Sequence, residues 1–98
     1  MNSREIIAVL RQAESALRAR GVSHAALFGS AARGTAGPDS DIDILVEFDP
    51  ASDLSVFEYV GLKDYVAELF PGPVDVVDRA ALKPFVRPPA ESEAIYAF

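Results

Sequence analysis

The chain has 98 residues, half of them apolar, no cysteine, and 9 basic against 15 acidic side chains for a net charge of −6. That composition supports one packed domain over residues 1–98 and excludes a disordered chain, disulfides, thiolate metal sites and thiol nucleophiles. The acidic balance argues against direct nucleic-acid binding. No apolar run approaches the roughly 20 residues of a membrane span, and residues 1–10 lack the apolar stretch and cleavage site of a secretory leader. A cytoplasmic protein without membrane contact is expected.

Asn2 and Glu5 are spaced as a capping box, and Ile6, Leu10, Ala13 and Leu17 then form one apolar stripe at helical period. Arg18 and Arg20 suit the negative end of a helix, and Gly21 suits the residue after it, so a helix is predicted over 3–20. His24 to Phe28 is a short apolar run stopped by Gly29, read as a buried strand, with His24 a turn or surface residue. Residues 30–34 are expected to open a short helix or turn, broken by Gly37-Pro38.

Asp41 to Phe48 (DIDILVEF) is the clearest strand, ended by Asp49-Pro50. A second helix is predicted over 54–70 with Leu54, Phe57, Val60 and Leu69 as its buried stripe, stopped by Pro71-Gly72-Pro73. Phe48, Phe57, Tyr59, Tyr65 and Phe70 are read as core and partly exposed aromatics of these two elements. Val74 to Val77 is a further strand. A helical turn over 80–85, a Pro88-Pro89 link and a last short helical segment follow, with 88–98 a tail or short helix. The apolar end (Phe85, Ile95, Tyr96, Phe98) is expected either to close the core or to dock a partner. The order points to an α/β domain with a small mixed sheet.

Three carboxylates carry the chemistry. On a strand, Asp41 and Asp43 project to one side while Ile42, Ile44 and Val46 take the other. Two carboxylates so placed can bind Mg²⁺ together with substrate phosphates, although a solvated strand end carries the same pattern. Asp75 sits among valines, where burying a charge is costly unless it is paired or coordinated; beside 41–48 it completes a three-carboxylate set, and otherwise it lies on a solvated sheet face. Upstream, Gly29 allows close backbone approach to a phosphate, Ser30 offers an N–H and a hydroxyl, and a helix beginning at Ala31 would aim further N–H groups at the anion. Arg33 brings positive charge within reach of phosphate oxygens, or else pairs with Asp39 or Asp41. Lys63 and Arg87 are secondary candidates for phosphate or partner contact.

Gly29-Ser30-Ala31-Ala32-Arg33-Gly34 followed by Ser40-Asp41-Ile42-Asp43-Ile44-Leu45-Val46 resembles the signature of the nucleotidyltransferase superfamily related to DNA polymerase β. The short chain looks like a minimal nucleotidyltransferase (MNT) domain, which implies a single small domain with a mixed sheet flanked by helices. The resemblance further implies transfer of a nucleoside monophosphate from a triphosphate, taken as ATP, to a hydroxyl. Gly29, Ser30, Arg33 and Ser40 would hold phosphate. Asp41 and Asp43 would bridge two Mg²⁺ ions, with Asp75 as third ligand. Stand-alone proteins of this kind are often antitoxins that adenylylate a tyrosine of a helical HEPN-domain toxin, so a hetero-oligomer is expected. The alternative is an antitoxin-type module that masks its partner without catalysis.

Overall fold

The computed structural model describes residues 2–29, 32, 41–81 and 94–98. Asn2 opens helix α1 (Ser3–Gln12) through the expected capping box. Its side chain accepts the Glu5 N–H at 2.8 Å, and the Glu5 carboxylate accepts the Asn2 N–H at 3.2 Å. Ile6, Leu10, Ala13 and Leu17 are all buried, as the stripe requires. The single helix predicted over 3–20 is instead two, α1 and α2 (Glu14–Ala19), separated at Ala13. Nothing in the residue types explains the break, since alanine is the best helix former. Hydrogen bonds run across it, from the Ala13 N–H to the Val9 carbonyl at 3.1 Å and from the Leu17 N–H to the Ala13 carbonyl at 2.9 Å, so the stripe keeps one face. Gly21 ends the pair with φ +97°, the left-handed conformation that glycine adopts without penalty.

Strand β1 (Val22–Phe28) begins two residues before the expected start and pairs antiparallel with β2 (Ile42–Phe48). Helix α3 (Val56–Glu68) then crosses over to β3 (Val74–Asp78), which lies parallel to β2; parallel neighbours need such a crossover. A 3₁₀ turn at Arg79–Ala81 starts where the helical turn of 80–85 was expected. The rest of that turn, the Pro88-Pro89 link and Gly37-Pro38 lie outside the described residues, and of the short helix or turn at 30–34 only Ala32 is described, with helical backbone.

The last helical segment is corrected: residues Ile95–Tyr96 form strand β4, antiparallel to the outer edge of β1. An open β1 edge would leave backbone donors and acceptors unpaired. Here the Ala97 N–H donates to the Ala25 carbonyl at 2.8 Å, and Arg11 Nε donates to the Ala97 carbonyl at 3.0 Å. Ala97 is buried, and the Arg18 guanidinium lies 5.0 Å from the centre of the Phe98 ring. Ala97 and Phe98 therefore help close the core, whereas Ile95 and Tyr96 remain 40% and 42% exposed.

The result is a four-stranded mixed sheet in the order β3-β2-β1-β4. One apolar cluster joins Ile6, Leu10, Leu17, Leu62 and Val66 of the helices to Ala25, Leu27, Ile44, Val46 and Val76 of the strands. Helix α3 turns a different face inward from the one predicted. Leu62 and Val66 are fully buried, Leu69 is half-buried, and Phe57 and Val60 are 89% and 50% exposed. Leu54 precedes the helix, which Ser55 caps by accepting the Glu58 N–H at 3.1 Å. The reason is that VFEYVGLKDYVAE carries apolar residues on more than one face. Only the crossover geometry selects among them.

Candidate functional site

Strand register builds the site. Phe28 pairs with Asp43 across β1 and β2, and Asp43 pairs with Asp75 across β2 and β3. Alternation sends Ile42, Ile44, Val74 and Val76 toward the helices and leaves Asp43 and Asp75 together on the opposite face. Their Cα atoms belong to adjacent strands, a spacing of about 4.8 Å. Asp43 is half-buried and Asp75 exposed, so the charge among valines lies on an open sheet face. Asp41, also exposed, immediately precedes β2, and so marks the same sheet end.

Gly29 follows β1 directly, with φ +74°. A Cβ at this position would collide with the Asp43 carboxylate, whose Cγ would lie 3.3 Å away. Glycine is needed here both for the backbone angle and for the space that Asp43 fills. Ser30, Arg33 and Ser40, the remaining phosphate-binding expectations, lie outside the described residues, as does Arg87.

The donor set is that of a hard cation: carboxylate oxygens alone, with two of the three in register. Like charges directly opposite on neighbouring strands repel, and a divalent cation between them relieves that repulsion. Among the described residues, no three Asp, Glu or His side chains converge closely enough to enclose an ion as they stand. The register therefore unites Asp43 with Asp75 and places Asp41 at the same strand end, without a ready-made three-carboxylate cage.

Further along the sheet the acidity is partly answered. Arg79, which sequence reasoning did not single out, donates to Glu47 at 3.0 Å. Tyr59 of α3 packs on Phe48 with ring centres 5.8 Å apart. Its phenol pKa is raised, by burial first and then by the charges of Asp78 and Asp75. Lys63 lies over the Tyr59 ring at 5.5 Å and His24 on the exposed side of β1 edges the Tyr96 ring at 6.2 Å. His24 pairs with Glu47, four residues along β1 from Phe28, the partner of Asp43.

The nucleotidyltransferase domain family matches the chain over residues 10–97. The protein adenylyltransferase MntA of Thermococcus cleftensis is 36% identical over 93 residues, covering 94% of this chain and 92% of that one. A solved structure provisionally described as a minimal nucleotidyltransferase superposes with a TM-score of 0.80 at 32% identity, over 97% of this chain and 95% of that one. A toxin–antitoxin crystal structure with AMP-PNP superposes with a TM-score of 0.69 at 25% identity, over all of this chain (100%) and 73% of that one.

Proposed function

This chain belongs to the nucleotidyltransferase domain family, and on that premise we propose that it moves AMP from ATP to a hydroxyl of a protein partner, a tyrosine of a HEPN-domain toxin, and so acts as its antitoxin. The observation that carries the reading is the in-register pair Asp43 and Asp75 beside the left-handed Gly29. The similarity to a protein adenylyltransferase and to a toxin–antitoxin structure with AMP-PNP supports the acceptor class and the nucleotide. No helix among the described residues is long and apolar enough to cross a membrane, and a reaction that consumes ATP fits a cytoplasmic protein.

Gly29 lets the main chain approach the β- and γ-phosphates, with Ser30, Arg33 and Ser40 as the polar and positive groups around them. Asp41, Asp43 and Asp75 would hold two Mg²⁺ ions, which when bound supply charge neutralisation at the attacking and leaving oxygens. Asp75, exposed like Asp41, would help take the proton of the incoming hydroxyl. The acceptor oxygen bonds to the α-phosphorus as the bond to the pyrophosphate oxygen breaks, and pyrophosphate leaves. The acceptor hydroxyl would be delivered by the partner chain in a hetero-oligomer.

The test is intact-mass spectrometry of a HEPN-domain protein from the same organism, after incubation with the purified chain, ATP and Mg²⁺. A gain of one or more AMP units that Asp41→Asn abolishes is expected. A stable complex with no gain in mass would instead favour masking of the partner without catalysis.

A further inference from the structure

Among the described residues, nothing packs against the outer face of helix α3. Val56, Phe57 and Val60 are 77%, 89% and 50% exposed, while Leu62 and Val66 already fill the inner face. Isolated exposed apolar residues are ordinary, but contiguous ones mark contact surfaces. Beside these three opens a groove of about 380 Å³, lined by Phe48, Leu54 and Tyr59 as well as by Asp53 and Asp78. The patch and the groove are continuous through Val56.

The charges around this surface name the occupant. Asp53, Glu58, Asp64 and Glu68 are all exposed here. Among the described residues the nearby cations are already engaged: Lys63 over Tyr59 at 5.5 Å, Arg20 over Tyr65 at 4.8 Å, and Arg79 on Glu47 at 3.0 Å. A second copy of the chain, itself at −6, would bring this acidic rim against its own image in a two-fold contact. We infer that the outer face of α3, centred on Phe57, docks a protein partner that offers an apolar pocket rimmed by arginine or lysine, with one basic side chain entering the groove between Asp53 and Asp78. The inference takes the HEPN-domain protein as that partner and in this rests on the function proposed above.

The surface stands apart from the carboxylates. Val56 neighbours Phe48 and Asp78, at the ends of β2 and β3, whereas Asp43 and Asp75 lie near their starts, roughly 10–17 Å along the strands. Docking there holds the partner without occupying the Asp43–Asp75 pair, so a change in this surface alters affinity and not the chemical step.

The test titrates the full chain by calorimetry with the HEPN-domain protein used in the mass-spectrometric test. Phe57→Ser and Val60→Ser, both at exposed positions that leave the circular dichroism spectrum unchanged, are expected to weaken binding at least about ten-fold. Asp64→Lys should weaken it as well, and added salt should lower the wild-type affinity. AMP incorporation at saturating partner should match the wild type. Wild-type affinity in Phe57→Ser would overturn the surface while leaving the proposed function intact. A wild-type dimer in sedimentation that Phe57→Ser dissociates would overturn it in favour of self-association. Failure of the wild type to bind the HEPN-domain protein at all would overturn both readings together.

Discussion

The backbone of Gly29 and the carboxylate of Asp43 occupy contiguous space, such that a single added methyl on the glycine would strike the Asp43 side chain. Gly29→Ala therefore combines two effects, a left-handed backbone that costs an alanine about 1–2 kcal/mol and the displacement of a candidate metal ligand. Urea denaturation should report a loss of that order. AMP transfer should fall by far more than stability, by about 100-fold, because a small misplacement at the reacting centre is amplified in rate.

Asp75 stands in register with Asp43 on the neighbouring strand, where like charges destabilise each other. Asp75→Asn is expected to raise stability by about 0.2–1 kcal/mol in metal-free buffer. Mg²⁺ should then raise the melting temperature of the wild type and have little effect on the variant. Thermal denaturation with EDTA and with Mg²⁺ makes both comparisons. A wild-type protein indifferent to Mg²⁺ would contradict the metal assignment.

The inner and outer faces of α3 should respond oppositely to truncation. Leu62 is fully buried and Phe57 is 89% exposed, so Leu62→Ala should cost about 2–5 kcal/mol and Phe57→Ala no more than about 0.5 kcal/mol. Chemical denaturation of the two variants distinguishes the observed packing from the reverse arrangement.

Tyr59 has its phenol pKa raised above the ordinary 10.0 by burial and then by the charges of Asp78 and Asp75. A raised pKa in the folded state means that stability is fully present below pH 10.0 and is lost as pH climbs from there through the folded-state value. Tyr59→Phe should remove part of the alkaline loss of stability, and Asp78→Asn should lessen it. Denaturation midpoints measured between neutral and strongly alkaline pH would show this.

Much of this protein was legible in its sequence because the signals were local. Asn2 and Glu5 cap a helix through contacts three residues apart, Gly21 and Gly29 stop their elements, and the alternation after Asp41 assigns each side chain to a sheet face. Glu58 three residues after Ser55 was an equally local signal for the start of α3. The carboxylates Asp41, Asp43 and Asp75 were likewise identifiable as residues. They were legible as candidates because an Asp-x-Asp at a strand start and a charge among valines are both local patterns.

What only the tertiary structure decided concerns elements that meet across the chain. The register of β2 with β3 brings Asp43 beside Asp75, and no local pattern encodes the pairing of two strands separated by a crossover helix. The inward face of α3 was ambiguous because its apolar residues surround the helix, and the sheet beneath selected Leu62 and Val66 over Phe57 and Val60. Ile95 and Tyr96 became a strand and not a helix because the free edge of β1 supplied hydrogen-bond partners that a two-residue segment cannot supply to itself. The sequence by itself determined the chemical groups and the local stops and caps; long-range pairing of backbone and burial decided which of those groups meet and which apolar face remains in water.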